Sequence, residues 1–86
     1  MQSKEIIIRD EAGIHARPAA SIVKLAGKFT SNVSIEFGEK IANAKSILAL
    51  MKLGVKGNTA VIIKAEGIDE QDAINTLSMA IENDFK

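Results

Sequence analysis

The sequence predicts an α+β fold in which one antiparallel sheet is covered on one face by helices. Two observations support this class: apolar residues alternate in some segments and recur at helical spacing in others, and the segments follow the order β-α-β-β-α-β-α. Gly38-Glu39 suits a tight hairpin turn between the second and third strands. A two-layer sandwich buries the sheet face and the helix stripes together. With 86 residues, 47% of them hydrophobic, we expect one domain over residues 1–86.

Four strands are predicted from alternation and from the turn residues that flank them. They cover Lys4 to Arg9, Asn32 to Phe37, Lys40 to Asn43 and Ala60 to Glu66. The residues expected to face inward are Ile6 and Ile8 in the first strand, Val33, Ile35 and Phe37 in the second, and Val61, Ile63 and Ala65 in the fourth.

Three helices complete the predicted order. Pro18 fits the first turn of the first helix, which Gly27 ends. Ser46 opens a shorter second helix from Ile47 to about Leu53, ended by Gly54, and Asp69 is expected to cap the third. The apolar stripes are Ala19, Ile22, Val23 and Ala26 in the first helix, and Ala73, Ile74, Leu77, Ala80 and Ile81 in the third. The second helix has too many apolar positions for one buried face, and periodicity favours a surface docking patch and a deeply buried helix equally.

Composition excludes several kinds of site. There is no cysteine, which excludes a disulfide and a thiolate metal site, and a single histidine excludes a His-rich zinc site. We expect no metal and no cofactor. The three isoleucines before Arg9 are too short a run for a signal peptide or a membrane span, which indicates a cytoplasmic protein without membrane insertion. The net charge is zero, but residues 17–56 contain seven basic and two acidic residues, whereas residues 57–86 contain two and six. This asymmetry indicates an acidic or phosphate-bearing partner, unless the lysines are simply solvated.

The single histidine, His15, lies where a strand gives way to a helix, and Arg17 follows two residues later. Histidine is the side chain best able to accept and release a group near neutral pH. The first amides of a helix lack carbonyl partners and form a ready anion site. His15 would be a nucleophile, the start of the helix an anion site, and Arg17 a fixed cation. Their proximity indicates that this segment could carry a phosphoryl group. Taken alone, each residue has an ordinary alternative: a capping or buried histidine, and a surface cation.

Two motifs resemble signatures of the HPr family, the histidine-containing phosphocarriers of the bacterial phosphoenolpyruvate:sugar phosphotransferase system. Gly13-Ile14-His15-Ala16-Arg17-Pro18-Ala19 resembles the active-site signature, and Asn43-Ala44-Lys45-Ser46-Ile47-Leu48-Ala49-Leu50-Met51 resembles the signature around a regulatory serine. The similarity of pattern runs through the whole chain. It implies an open-faced β-sandwich whose sheet order is 1-4-2-3, with three helices on one face. It also implies a phosphocarrier rather than an enzyme.

The resemblance further implies roles for individual residues. His15 would accept a phosphoryl group on Nδ1 from enzyme I and pass it to the IIA domains of sugar permeases, while Arg17 holds the phosphoryl oxygens. Ser46 would be phosphorylated by an HPr kinase/phosphorylase, and the product would slow transfer from enzyme I and bind catabolite control protein A. The partner-facing positions would be Ala16, Ala20, Ile47, Leu48 and Met51. We expect a monomer.

Three alternatives stand beside this interpretation. Capping alone explains a serine at the start of a helix. A purely regulatory corepressor-type protein would act through phosphate on Ser46, but a glutamine would then be expected at the position of His15. A nucleic-acid-binding module is suggested by Gly54-Val55-Lys56-Gly57, a G-x-x-G like that of KH domains. A strand is predicted directly after this loop, and the chain has no tyrosine or tryptophan, so direct nucleic-acid binding is disfavoured.

Overall fold

The structure, a computed structural model, describes residues 1–83. Residues 84–86 of the predicted domain lie outside the described residues. They include Asp84 and Lys86, which were counted in the charge distribution. The elements are β1 (Gln2–Ile8), α1 (Ala16–Ala26), β2 (Asn32–Phe37), β3 (Lys40–Asn43), α2 (Ile47–Lys52), β4 (Thr59–Glu66) and α3 (Glu70–Glu82). The predicted β-α-β-β-α-β-α order is confirmed.

The boundaries of β1 and β4 differ slightly from the prediction, because pairing between the two strands sets them. β1 begins at Gln2, opposite Ala65, and ends at Ile8, opposite Thr59. At the start of β1, the pairing with β4 therefore includes Gln2 and Ser3, which precede the predicted strand. It stops before Arg9, where the chain turns toward the next element.

The sheet has the order β1-β4-β2-β3, and all of its pairs are antiparallel. Ile6 pairs with Val61 and Ile35 with Ile63, so these four buried side chains share one face of the sheet. Helices cover this face: α3 packs on β1 and β4, and α1 contacts both α2 and α3. The other face is open, and Ile41 stands exposed on it. The predicted two-layer, open-faced α+β sandwich is confirmed.

Three residues expected in the core lie at its margin. Val23 in α1 is half-buried and packs against the core. Phe37 is the last residue of β2 and is only half-buried, although it packs against the core. Ala80 lies at the edge of the apolar stripe of α3 and is also half-buried. Among the residues that the structure describes, no helix is both long enough and apolar enough to cross a membrane.

Asp69 occupies the N-cap position of α3, but the prediction that its side chain caps the helix is wrong. Its carboxylate instead accepts the backbone N–H groups of Thr30 and Ser31, each at 2.9 Å, and the Ser31 hydroxyl. These bonds, with the Ser31 hydroxyl contributing most, lower the pKa of Asp69 to about 2. The hydrogen bonds of Asp69 therefore hold the loop before β2 against the start of α3.

Candidate functional site

His15 is the N-cap residue of α1, with an extended backbone (φ −103°, ψ −168°). Its side chain makes no capping hydrogen bond, and it is 40% exposed. The ring is thus neither a cap nor part of the core, which removes both ordinary alternatives for this residue. The first turn of α1 contains no acidic side chain, so the positive end of the helix dipole remains directed toward the region around His15.

The segment that carries His15 is held by close backbone packing against residues 55–58. The Ile14 N–H donates to the Val55 carbonyl at 3.1 Å, and the Ile14 side chain is buried. Gly13 has a φ of +74°, and a Cβ there would lie 1.9 Å from the Val55 carbonyl oxygen. A Cβ at Gly57 would lie 2.5 Å from the carbonyl oxygen of Glu11. Two glycines therefore allow the two backbones to touch, and this contact fixes where His15 begins α1.

Asp10 joins the two predicted site residues. One of its carboxylate oxygens, Oδ2, accepts a hydrogen bond from Arg17 Nη2 at 2.6 Å and lies 3.3 Å from His15 Nε2. The other oxygen accepts the Ala12 N–H at 2.9 Å, closing a local turn. The Asp10 side chain is only 13% exposed, whereas that of Arg17 is 59% exposed. His15 and Arg17 thus meet at one sheltered carboxylate.

The ionisation state of Asp10 determines which nitrogen of a neutral His15 ring carries the proton. The N–H of Ala12 is the largest cause that lowers the pKa of Asp10; shielding from water opposes it, and His15 and Arg17 reinforce it. The carboxylate is therefore ionised at neutral pH and can only accept hydrogen bonds. A neutral His15 ring must then carry its proton on Nε2, which leaves the lone pair on Nδ1.

Asp10 is not among the residues that the sequence predicts for this site. The available signal was an acidic residue directly after the first strand, in the Asp10-Glu11-Ala12-Gly13 turn that leads to the histidine. Asp and Asn in such turns commonly bond to their own backbone two residues on, as Asp10 does with Ala12. The additional bonds to His15 and Arg17 depend on the tertiary path of the loop, which spacing alone does not give.

Ser46 is the N-cap of α2, and its Oγ accepts the Ala49 N–H at 3.2 Å. The capping role predicted for this serine is therefore present. After it, α2 divides its apolar side chains between two environments: Leu50 is fully buried, whereas Leu48 is 63% exposed and Ile47 and Met51 are each 42% exposed. Of the two possibilities left open for this helix, the structure has the surface patch. We call Ile47, Leu48 and Met51 the α2 patch.

The two helices that carry the predicted partner-facing residues pack against each other. Ala16 and Ala20 on α1 are exposed, as are the three residues of the α2 patch. The Gly54-Val55-Lys56-Gly57 loop, by contrast, joins α2 to β4, and Gly57 is packed on the backbone of the His15 segment. In KH domains the corresponding loop joins two helices. The motif that suggested nucleic-acid binding therefore lies in a different structural context in this chain.

Known proteins resemble this chain in both sequence and structure. The family model for the phosphorylation site of the HPr component of the phosphotransferase system matches residues 2–83. The structure of HPr from Thermoanaerobacter tengcongensis is 45% identical, with a TM-score of 0.94 over 99% of this chain and 96% of that one. The histidine-containing phosphocarrier protein of Mycoplasma is 37% identical, with a TM-score of 0.91 over 98% and 96% of the two chains. Crh of Bacillus subtilis, a catabolite-repression protein solved as a domain-swapped dimer, is 41% identical, with a TM-score of 0.77 over 99% and 97%. The chain therefore belongs to the HPr family of phosphocarrier proteins of the phosphotransferase system.

Proposed function

We propose that this chain receives a phosphoryl group from enzyme I on Nδ1 of His15 and passes it to the IIA domains of sugar permeases. The observation that carries this proposal is the pairing of His15 Nε2 with Asp10, because it leaves the Nδ1 lone pair available in a partly exposed ring. The protein would act as a carrier and not as an enzyme, since it ends each cycle by giving up what it received.

The transfer needs few groups from the protein. The Nδ1 lone pair forms a bond to the phosphorus of phosphorylated enzyme I, while the bond between that phosphorus and the donor atom breaks and its electron pair returns to the donor atom. Positioning and charge stabilisation account for most of the catalysis of phosphoryl transfer. Arg17 would supply the charge, because its planar fork can bond two phosphoryl oxygens at once. The start of α1 adds its dipole.

We propose regulation at Ser46 by an HPr kinase/phosphorylase. The side chain is half-buried at the start of α2, directly before Ile47 and Leu48. A phosphate there would add about two negative charges beside the α2 patch. If enzyme I covers this patch, the added charge would weaken docking without unfolding the domain. The exposed patch would equally serve the binding of catabolite control protein A to the phosphorylated form.

We further propose that residues 1–86 act as one domain, as a monomer, in the cytoplasm. Crh of Bacillus subtilis is a domain-swapped dimer, so the monomer needs its own test. β1 and β3 are the two edge strands of the described sheet, and a short hairpin ties β3 to its neighbour β2. β1 pairs only with β4, which is distant in sequence, so we expect β1 to be the strand that a swapped dimer would exchange. Sedimentation at several concentrations would distinguish the two states.

The proposed function is tested by incubating the protein with phosphoenolpyruvate and enzyme I. We expect one phosphate per chain, labile in acid and stable in alkali, that moves to an added IIA domain. The His15→Ala protein should remain unlabelled and folded. Equal labelling of the two proteins would refute the assignment of His15, and label that never leaves for a IIA domain would refute the carrier role.

A further inference from the structure

Asp10 occupies a position in which it affects both groups of the proposed site. A single oxygen, Oδ2, is 2.6 Å from Arg17 Nη2 and 3.3 Å from His15 Nε2. The carboxylate is the sheltered member of the three, and the Ala12 N–H holds it in place from the other side. Before phosphorylation, the guanidinium that would bind the phosphoryl oxygens is therefore already bonded to an anion.

A phosphoryl group on His15 Nδ1 would bring a second anion to the same guanidinium. Any bond that Arg17 keeps with Asp10 takes a donor away from the phosphoryl oxygens, and the two anions repel each other across the ring. The carboxylate also favours a proton on Nε2, which makes the imidazole a better leaving group. All three effects raise the free energy of the phosphorylated protein or ease loss of the group.

We propose that Asp10 is a positioning residue that competes with the phosphoryl group for Arg17 and so keeps phosphohistidine 15 a ready donor. This inference rests on the proposed function of His15 as the phosphoryl acceptor. It assigns to Asp10 an effect on the rate at which the phosphoryl group leaves His15. Without such a competitor, a cation and a helix terminus would hold the phosphoryl group more tightly than a carrier requires.

Loss of the group can be followed without any partner protein, by hydrolysis. In the form protonated at Nε2, a water oxygen bonds to phosphorus, the P–N bond breaks, and its electron pair returns to Nδ1. The products are the neutral ring with its proton on Nε2 and dihydrogen phosphate. Competition by Asp10 for Arg17 should speed this step, so removal of the Asp10 charge should slow it.

The test uses the Asp10→Asn protein, because asparagine can still accept the Ala12 N–H and preserve the turn. Wild type and variant are loaded on His15 with phosphoramidate, a small chemical donor, and the decay of phosphohistidine is followed by ³¹P NMR. We expect the phosphohistidine of Asp10→Asn to last about 1.4- to fivefold longer, the range for loss of one ion pair that water reaches on the arginine side. Glu11→Gln, which removes the same charge from the next, exposed residue, is the matched control and should decay as wild type does.

A double-mutant cycle with Arg17→Ala identifies the route. Because the competition acts through Arg17, the effect of Asp10→Asn should be smaller in the Arg17→Ala background. An unchanged or shortened lifetime in Asp10→Asn, or an undiminished effect without Arg17, would overturn the proposal. Failure of the wild type to accept phosphate from enzyme I, with chemical loading intact, would instead refute the proposed function.

Discussion

Truncation of Leu48 to alanine is the sharpest test of whether the α2 patch docks a partner. Leu48 is 63% exposed, so its truncation should change the free energy of unfolding of this protein little. A complex in which a partner covers Leu48 would lose most of the apolar area that this side chain buries on binding. Full burial of a leucine side chain contributes about 1.5–3 kcal/mol. The exposed part therefore corresponds to about 1–2 kcal/mol at an interface. The KM for this protein as a phosphoryl acceptor of enzyme I should rise about five- to thirtyfold.

Two matched variants make the result interpretable. Met79 on α3 is 64% exposed, nearly the same as Leu48, and Met79→Ala should leave both the KM and the melting temperature unchanged. Leu50 on α2 is fully buried, and Leu50→Ala should lower the free energy of unfolding by about 2–5 kcal/mol. Steady-state phosphorylation by enzyme I and urea unfolding give the two quantities. A wild-type KM for Leu48→Ala would show that enzyme I does not cover the α2 patch.

Four further variants test three polar residues, Arg17, Ser46 and Asp69. Arg17→Ala should slow phosphorylation of His15 about a hundred- to a thousandfold, as loss of one charge-stabilising donor does. The melting temperature should change little, because the Arg17–Asp10 pair is exposed on the arginine side. A large loss of stability would make Arg17 a structural residue. Ser46→Asp should keep the melting temperature and slow phosphorylation of His15, more at low salt than at high salt, because exposed charges are screened. Ser46→Ala should lose about 1 kcal/mol of stability, as an N-cap does, and transfer at the wild-type rate. The stability that Asp69 contributes should be present above about pH 4 and be lost as the pH falls toward 2, because its pKa falls from 3.8 to about 2 on folding. Urea unfolding of wild type and Asp69→Asn across this range should show a difference that shrinks with acid; a constant difference would exclude the linkage.

The fold could be predicted from the sequence because local signals and tertiary packing agree in most of the chain. β2 and β3 occur at their predicted residues, since a hairpin with one short turn depends on its own sequence. β1 has no such local partner. Its extent depends on β4, some fifty residues later, and alternation in the segment around Lys4 could not show where that pairing stops.

Asp69 shows a second kind of limit. It lies directly before α3, at the position of an N-cap residue. Spacing in the sequence cannot show that the loop at Thr30 and Ser31 brings three hydrogen-bond donors to its carboxylate. Local hydrogen bonds compete with tertiary ones, and here the tertiary bonds prevail. The same limit applies to Asp10. A sequence motif predicts His15 and Arg17 as candidate site residues, but the bonds from Asp10 to both of them depend on the tertiary path of its loop.

The three members of the candidate site differ in exposure in a way that suits a carrier. A group received from one protein and given to another must be reached by both, and the side chains of His15 and Arg17 are 40% and 59% exposed. Exposure weakens electrostatic control, because water screens the charges and side chains move. Asp10, at 13%, is the member that can hold a fixed geometry, and the backbone contact through Gly57 fixes its loop in turn. The fixed geometry of this site therefore comes from the Asp10 carboxylate and from the backbone contact at Gly57, while the side chains of His15 and Arg17 stay exposed, as the proposed carrier role requires.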